Sequence, residues 1–283
     1  MKIANKYNQN AKVVLFHGDC LDFLKQIPDS KAKLVVTSPP YNIGQEYEEK
    51  RPLDDYIDWQ SKVILECTRI LHEEGSICWQ VGSYTKRGEY YPLDILLYDQ
   101  FKKLRLILQN RIIWYFRSSR PFGLPLSNKY ETILWFSKKK QCLYNLDPIR
   151  IPRIYAPKIY WRPAKKKLSG GNPLGKNPGN VWLIPHVQNN HPERTVHPCQ
   201  FPIALIERLV LALTNPGDLV VDPFIGSGTT AIASLLHNRR CAGSDKVKKY
   251  VDIAKERIQI MSNGNLKYKS LAEITNLKQR ETA

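Results

Sequence analysis

The chain has 283 residues, 42% of them hydrophobic, so its composition excludes wholesale disorder and suits one large domain or one domain with an insertion. Its 43 Lys and Arg outnumber 26 Asp and Glu, and the net charge of +17 favours a polyanionic partner, with solubility as the alternative reason. No apolar run reaches the length of a membrane helix, about 20 residues, so we expect a cytoplasmic protein with no membrane partner. The six cysteines lack the spacing of a zinc site, so we expect no bound metal.

Runs of β-forming residues alternate with helical patterns along the first half of the chain, as is typical of an α/β fold on a parallel sheet. The second predicted strand leads directly into a loop that contains two consecutive prolines. In chain order, the predicted elements are a strand at 13–16, a helix at 19–27, a strand at 34–36, a helix at 56–71, a strand at 77–81, and two strands at 112–116 and 132–136 for which an antiparallel pairing is one arrangement.

The character of the sequence changes between residues 138 and 180. This segment contains two runs of three lysines, several prolines and a Gly-rich stretch at 169–173. Such a composition is rich in turns and positive charge and poor at forming a core. We therefore expect it to be an insertion between two parts of one α/β core.

The α/β pattern returns after the insertion. The predicted elements are a helix at 201–213, a strand at 219–221, a helix at 229–237, a strand at 241–243 and a helix at 247–261. The last twenty or so residues are polar, and we expect them to fray.

A glycine-rich turn (222–230) with the sequence Asp-Pro-Phe-Ile-Gly-Ser-Gly-Thr-Thr lies between a predicted strand and a predicted helix. Glycines let the backbone approach a ligand closely, and a helix N-terminus offers unpaired N–H groups. A phosphate-binding P-loop would need Lys after the last glycine, where this chain has Thr229. The turn therefore suits a ligand other than a polyphosphate, and a merely tight strand-to-helix connection remains the alternative.

Asp245 lies at the tip of the next predicted strand, 19 positions after Gly226. An acid at this spacing is well placed to accept hydrogen bonds from the two hydroxyls of a ribose. Capping of the last helix is the structural alternative, and one side chain can do both.

A second constellation, Ser38-Pro39-Pro40-Tyr41, follows the strand at 34–36 directly and is called here the tetrad loop (38–41). Two prolines stiffen it and remove two backbone donors, which leaves oxygen acceptors at Ser38 and Pro39. Acceptors beside an aromatic ring suit the amino group of a flat base, with Tyr41 stacking on the ring. A simple turn that leaves a sheet is the alternative for the two prolines alone.

Together, the tetrad loop and the glycine-rich turn resemble the two signature motifs of the amino-methylating DNA methyltransferases, and the resemblance extends over about residues 13–260. It implies a Rossmann-like fold, S-adenosylmethionine as cofactor and double-stranded DNA as substrate. The catalytic motif precedes the cofactor motif, as in the circularly permuted β class, which places its target-recognition region between them. The implied division is a catalytic half (1–137), a target-recognition insertion (138–180), a cofactor-binding half (181–262) and a C-terminal tail (263–283).

The resemblance also assigns individual residues. Asp19 looks like the acid that contacts the cofactor adenine, His197 flanks the methionine end, and the stretch 110–121, with Trp114 and Arg117, loosely matches a loop lining the target-base pocket. Many relatives have Lys where this chain has Phe201, so a contact from that position to the cofactor carboxylate is not expected. The implied catalytic residues are Ser38, Pro39, Pro40 and Tyr41; the cofactor-binding residues are Asp19, His197, Asp222, Phe224, Gly226, Ser227, Gly228, Thr229 and Asp245; and the DNA-binding residues are Lys138, Lys139, Lys140, Lys165, Lys166 and Lys167.

Cys199 requires a separate interpretation because Pro198-Cys199-Gln200 repeats the nucleophile motif of the enzymes that methylate cytosine at carbon 5. Those enzymes place the motif after the cofactor motif and before an essential Glu, and neither holds here. We therefore expect direct transfer without a covalent enzyme intermediate, after the base has been flipped out of the duplex.

Relatives with Ser at the first tetrad position often methylate cytosine N4, so Ser38 favours that product over adenine N6. An RNA or protein-amide methyltransferase and a non-catalytic DNA-binding relative are the remaining alternatives. A restriction-modification setting follows from the family, with a cognate endonuclease and a second copy of this chain as further candidate partners.

Overall fold

A computed structural model describes residues 1–44, 46, 48–86, 89–116, 126–153, 159–162, 165–169 and 172–275. The strands are β1 (Val13–His17), β2 (Ala32–Thr37), β3 (Leu71–Val81), β4 (Ser83–Lys86), β5 (Glu89–Pro92), β6 (Ile107–Tyr115), β7 (Tyr130–Ser137), β8 (Ile159–Arg162), β9 (Lys165–Ser169), β10 (Val181–Leu183), β11 (Leu219–Asp222) and β12 (Arg240–Asp245). The helices are α1 (Cys20–Leu24), α2 (Leu53–Ile70), α3 (Leu93–Lys103), α4 (Ile203–Leu213), α5 (Thr229–Leu236) and α6 (Lys248–Ser262), and a 3-10 turn covers Asp147–Ile149.

The eight-stranded sheet has the order β1-β12-β11-β2-β3-β7-β6-β10. Its first five strands are parallel, whereas β7 is antiparallel to both β3 and β6, and β10 is parallel to β6. The expected antiparallel pairing of the strands near 112 and 132 is therefore confirmed. We call the edge where β1, β2, β3, β11 and β12 end the carboxyl edge. Because β7 runs the other way, its beginning at Tyr130 lies at the carboxyl edge and Ser137 lies at the opposite edge.

Helices cover both faces of the sheet, which explains why its central strands are continuously apolar. Successive side chains of a strand point to opposite faces, so Val13 and Leu15 join one core cluster and Val14 joins the other. The first cluster contains apolar residues of α4, α5 and α6, and the second contains those of α1, α2 and α3. The α/β class expected from the sequence is confirmed.

Two segments pack differently from the sequence-based expectation. Ile149, inside the predicted insertion, is 2% exposed in the core, and the backbone N–H of Asn145 donates to the carbonyl of Ala212 at 2.7 Å. In the predicted tail, Leu271 is 6% exposed and its N–H donates to the Glu207 carboxylate at 2.7 Å. The composition of both segments is polar, but these contacts connect their described parts to the core, and residues 276–283, which are also expected to fray, lie outside the described residues.

Several boundaries also differ. Helix α1 begins at Cys20 rather than Asp19, because the Asp19 side chain accepts a hydrogen bond from the Leu21 N–H and caps the helix. Helix α3 was not predicted, although its buried residues Leu93, Leu97 and Phe101 recur at helical spacing. In the described part of the chain, no helix combines the length and the apolar character that a membrane crossing requires.

Candidate active site

A cavity of about 380 Å³ opens at the carboxyl edge, where the loops after β1, β2, β11 and β12 converge. It is lined by both the tetrad loop and the glycine-rich turn, which are far apart in the sequence. The two are joined directly, because the Thr37 hydroxyl donates to the Asp222 carboxylate at 2.6 Å across 185 positions of the chain. The convergence follows from the parallel topology, in which every strand of this half delivers its end to the same place.

Asp222 holds the two segments together at this junction. Its carboxylate accepts hydrogen bonds from Thr37, from the Thr230 hydroxyl at 2.6 Å and from the Phe224 N–H at 3.1 Å. Burial raises the pKa of the carboxyl to about 6, although these bonds oppose the shift. Asp222 is only 2% exposed, so what the structure shows for it is a contact within the protein. A direct contact with the cofactor stays a prediction.

The glycine-rich turn uses its two glycines for different purposes. Gly226 has φ +49°, and a Cβ there would lie 2.9 Å from Nε2 of His197 across the turn. Gly228 has φ +81°, and a Cβ there would lie 2.7 Å from the Cβ of Ala254 on α6. Gly226 lines the cavity together with Ser227 and Thr229, whereas Gly228 faces helix α6 and does not line it. The structure therefore places Gly228 at a helix-packing position, and a contact between Gly228 and the cofactor stays a prediction.

Asp245 lies at the end of β12 on the wall of the cavity. One carboxylate oxygen accepts from the Gly226 N–H at 3.1 Å and the other from the Val247 N–H at 2.7 Å. Each oxygen retains capacity for a further hydrogen bond. Burial raises the pKa of this carboxyl to about 6. The alternative role as the cap of the last helix is wrong in detail, because Val247 occupies the N-cap position of α6.

The remaining predicted cofactor residues lie on the same wall. Asp19 caps α1 and lines the cavity, and Phe224 packs edge-on against Trp59 with ring centroids 5.7 Å apart. The His197 ring lies 4.3 Å from the ring of Tyr250, and burial lowers the pKa of its imidazole to about 4. His197 is therefore neutral at physiological pH.

The tetrad loop presents its oxygens unequally. The Pro40 carbonyl accepts from the Tyr56 hydroxyl at 2.9 Å, which fixes the loop against α2. The Pro39 carbonyl accepts no hydrogen bond from the residues that the structure describes. The Ser38 hydroxyl donates to the Tyr41 hydroxyl at 3.0 Å. The loop therefore retains acceptor capacity at Ser38 and Pro39, the two positions expected from the sequence.

Two residues that the sequence-based reasoning missed complete this side of the cavity. Gln80, near the end of β3, accepts from the Tyr41 hydroxyl at 2.7 Å and donates through its amide nitrogen to Glu131, near the start of β7. Burial raises the pKa of the Glu131 carboxyl to about 7. The sequence did offer one signal for them, since Gln80 and Glu131 are polar residues inside otherwise apolar strands. That signal does not give their position, because it is the antiparallel direction of β7 that brings Glu131 to the carboxyl edge.

The first run of predicted DNA-binding lysines, 138–140, does not line the cavity. Lys138 and Lys139 follow the end of β7 at the opposite edge of the sheet and pair with Glu73 at 3.5 and 3.4 Å. Strand β9 contains the second lysine run, 165–167, whose side chains lie outside the described residues, as does Arg117. Trp114, from the loosely matched segment, does line the cavity. Contact of the six lysines with DNA stays a prediction.

Comparison with known proteins identifies the class. A family model described as "DNA methylase" matches residues 32–256. The type II methyltransferase M.BglII of Bacillus subtilis is 44% identical over 270 residues, covering 94% of this chain and 73% of the relative. The DNA adenine methyltransferase YhdJ of Escherichia coli is 32% identical over 286 residues, covering 98% and 91% of the two chains.

Solved structures agree with this result. The cytosine-N4-specific PvuII DNA methyltransferase aligns with a TM-score of 0.69 and 21% identity over 90% of this chain and 93% of its own. TTHA0409 of Thermus thermophilus, solved in complex with S-adenosylmethionine, aligns with a TM-score of 0.61 and 28% identity over 86% of this chain and 91% of its own. The chain belongs to the family of DNA methyltransferases that methylate the exocyclic amine of adenine or cytosine. S-adenosylmethionine is its cofactor.

The cavity fits this cofactor chemically. A buried carboxylate with spare acceptor capacity at Asp245 suits the ribose hydroxyls, and Phe224 and Trp59 supply aromatic surface for an adenine ring. Gly226 leaves the backbone of the turn accessible from the cavity. The carboxyl groups that line the cavity suit a cationic sulfonium, in contrast to the strongly basic chain as a whole.

The Glu131 carboxyl makes stability depend on pH. An unfolded Glu loses its proton near pH 4.5, whereas the folded chain retains it to about 7. Between these values the folded state binds more protons, so the free energy of unfolding falls as pH rises, and the cost of burying the charge is fully present above about pH 7. Glu131→Gln should therefore raise the free energy of unfolding at pH 8 by about 1–3 kcal/mol and change it little at pH 4.5.

Denaturant unfolding at the two pH values measures this effect. Glu74→Gln is the matched control, because it removes the same charge from an exposed position at the opposite edge of the sheet. Equal stabilisation by Glu131→Gln at both pH values would contradict a buried, titrating carboxyl at Glu131.

Proposed function

We propose that this DNA amino-methyltransferase methylates the N4 amine of cytosine in a specific duplex sequence, in a restriction-modification setting. The observation that carries the proposal is the shared cavity, in which the tetrad loop and the glycine-rich turn face one volume of about 380 Å³. One half of the cavity would bind the cofactor that donates the methyl group, and the other half would hold the amine that accepts it. Direct transfer is then possible, because proximity and orientation replace a covalent intermediate.

The cofactor half is proposed to bind through Asp245 at the ribose, Asp19 and Phe224 at the adenine, and Gly226 near the methionine portion. When bound, S-adenosylmethionine supplies an electrophilic methyl group on a sulfonium centre. The neutral His197 imidazole, which packs against Gly226, supports the turn without adding a positive charge next to that centre. Ser227, Thr229 and Asp222 complete the proposed set, and Gly228 contributes through its packing on α6.

The acceptor half is proposed to hold the target amine. Ser38 and the open Pro39 carbonyl accept its two N–H groups, Pro40 fixes the loop through Tyr56, and the Tyr41 ring stacks on the flipped base. An aromatic amine conjugated to its ring is a weak nucleophile. Two acceptors that hold its hydrogens favour the geometry in which its lone pair faces the methyl group, and this preorganisation carries the catalysis.

DNA recognition is proposed to involve the insertion at 138–180, with the lysine run 165–167 on β9 as the stronger candidate. Its neutralisation should weaken DNA binding and flatten the salt dependence of that binding. The division into halves at 1–137 and 181–262 with a tail at 263–283 belongs to the same proposal. M.BglII, the relative with 44% identity, is a type II methyltransferase, which supports a cognate endonuclease as partner. A homodimer is a further proposal.

Adenine N6 is the second candidate target, supported by the 32% identity to an adenine methyltransferase. Both bases present an amine beside a ring nitrogen, so the tetrad loop could hold either one. The neutral hydroxyl of Ser38 favours cytosine, because relatives with this residue often methylate cytosine N4.

Cofactor binding tests the first half of the proposal. Asp245→Ala should weaken S-adenosylmethionine binding by about 1–3 kcal/mol, a rise in Kd of roughly 5- to 150-fold, because a charged acceptor is lost. Isothermal titration calorimetry measures it, and Asp252→Ala is the control, since Asp252 lies exposed on α6 and pairs with Lys248 and Lys255. An unchanged Kd for Asp245→Ala would remove Asp245 from the site.

Identification of the product tests the target base. Duplex DNA methylated by the protein is digested to nucleosides and analysed by mass spectrometry. We expect N4-methylcytosine. N6-methyladenine as the sole product would reject the cytosine assignment and leave the family, the cofactor and the shared cavity as they stand, whereas no methylated nucleoside in any duplex would reject the proposed activity.

A further inference from the structure

A chain of four side chains extends from the tetrad loop into the wall of the cavity. The Ser38 hydroxyl donates to the Tyr41 hydroxyl at 3.0 Å, and the Tyr41 hydroxyl donates to Oε1 of Gln80 at 2.7 Å. Nε2 of Gln80 donates in turn to Oε2 of Glu131. Gln80 is only 1% exposed, so water does not compete for its amide. The Tyr41 hydroxyl also lies 3.5 Å from Oε2 of Glu131, so the four groups form one connected hydrogen-bond network.

The polarity of this chain is set at its Glu131 end. Glu131 accepts from the amide nitrogen of Gln80, which leaves the amide oxygen of Gln80 facing Tyr41. Burial raises the pKa of the Tyr41 phenol well above 10, so Tyr41 keeps its single proton and donates it in a hydrogen bond to the amide oxygen of Gln80. The Tyr41 oxygen is then left as an acceptor, and the single proton of Ser38 points toward it.

The consequence appears at Ser38. A serine hydroxyl is both donor and acceptor, and a free hydroxyl could turn its proton toward an incoming amine and repel it. With the proton committed to Tyr41, the lone pairs of Ser38 are the groups left for the cavity. A neutral serine then presents only hydrogen-bond acceptors to the amine, as a carboxylate would, but it adds no charge to the loop.

Packing holds the chain in place. A Cβ on Gly82 would lie 3.1 Å from Oε1 of Glu131 and 3.1 Å from Cε2 of Tyr41, so the absence of a side chain at residue 82 makes room for both. The Tyr56 hydroxyl anchors the Pro40 carbonyl and thereby the loop that carries Ser38 and Tyr41. Each donor and acceptor is thus supported by a rigid strand end or by a proline-stiffened loop.

We propose that Gln80 and Glu131 are positioning residues that act through the Tyr41 hydroxyl to hold the Ser38 hydroxyl as an acceptor for the target amine. The proposal rests on the proposed role of Ser38 in binding that amine. It explains why a costly buried carboxyl lies beside the tetrad loop without any basic partner among its described hydrogen bonds.

The test is a double-mutant cycle between Glu131→Gln and Tyr41→Phe. Glutamine both donates and accepts, so it no longer fixes the polarity, and phenylalanine retains the stacking ring but breaks the chain. Each change should lower the single-turnover rate of methyl transfer roughly 10- to 100-fold, with the Kd values for cofactor and DNA unchanged. The double variant should be no slower than the slower single variant, because both remove the same connection.

Three variants complete the experiment. Glu74→Gln makes the same charge change far from the cavity and should leave the rate unchanged. Gln80→Met breaks the chain at its middle and should also be non-additive with Tyr41→Phe, which gives a second cycle that does not depend on Glu131→Gln. Ser38→Ala reports on the proposed function itself and should abolish most of the transfer.

The outcomes separate the two claims. Losses that multiply in the double variant, or a full transfer rate in Glu131→Gln, would overturn the positioning role. A rate loss that disappears at saturating cofactor and DNA would overturn it as well, since the defect would then be in binding. A full rate in Ser38→Ala would instead reject the proposed function, whatever the cycle shows.

Discussion

The site depends on one buried carboxylate. Asp222 accepts the Thr37 hydroxyl from the end of β2 and the Thr230 hydroxyl from the start of α5, each at 2.6 Å. The first bond fixes the strand that carries the tetrad loop, and the second fixes the helix that follows the glycine-rich turn. A carboxylate with a pKa raised to about 6 is expensive to bury, and the three hydrogen bonds offset that cost. These bonds hold the end of β2 and the start of α5 together at the wall of the cavity.

The same junction explains how much the sequence could predict. The tetrad loop and the glycine-rich turn are local motifs, and strand-to-helix patterning places each at a carboxyl end, so their meeting was predictable. Gln80 and Glu131 were not, because each is a polar residue in an apolar strand, and nothing local indicates which strand lies beside which. The position of Lys138 was not predictable either, since only the direction of β7 carries it to the edge opposite the cavity.

Charge is distributed unevenly between the surface and the site. The chain carries a net charge of +17, which suits a DNA substrate, yet the cavity contains Asp222, Asp245 and Glu131, whose pKa values burial raises. A basic exterior attracts the phosphate backbone, and an acidic interior suits a cationic cofactor and an amine that donates hydrogen bonds. Composition alone reveals the first of these features, and only the fold reveals the second.

The proposed direct transfer at the tetrad loop needs no enzyme nucleophile, and Cys199 offers the sharpest test of it. This exposed thiol lines the same cavity, so a covalent route through it would have a nucleophile at hand. The decisive measurement is the turnover of Cys199→Ser on duplex DNA with labelled S-adenosylmethionine, alongside its melting temperature and cofactor Kd. The account predicts turnover within about threefold of the unmodified protein, because a change that touches no transition-state contact alters the barrier little. A Cys199→Ser protein that folds and binds the cofactor but transfers no methyl group would contradict it.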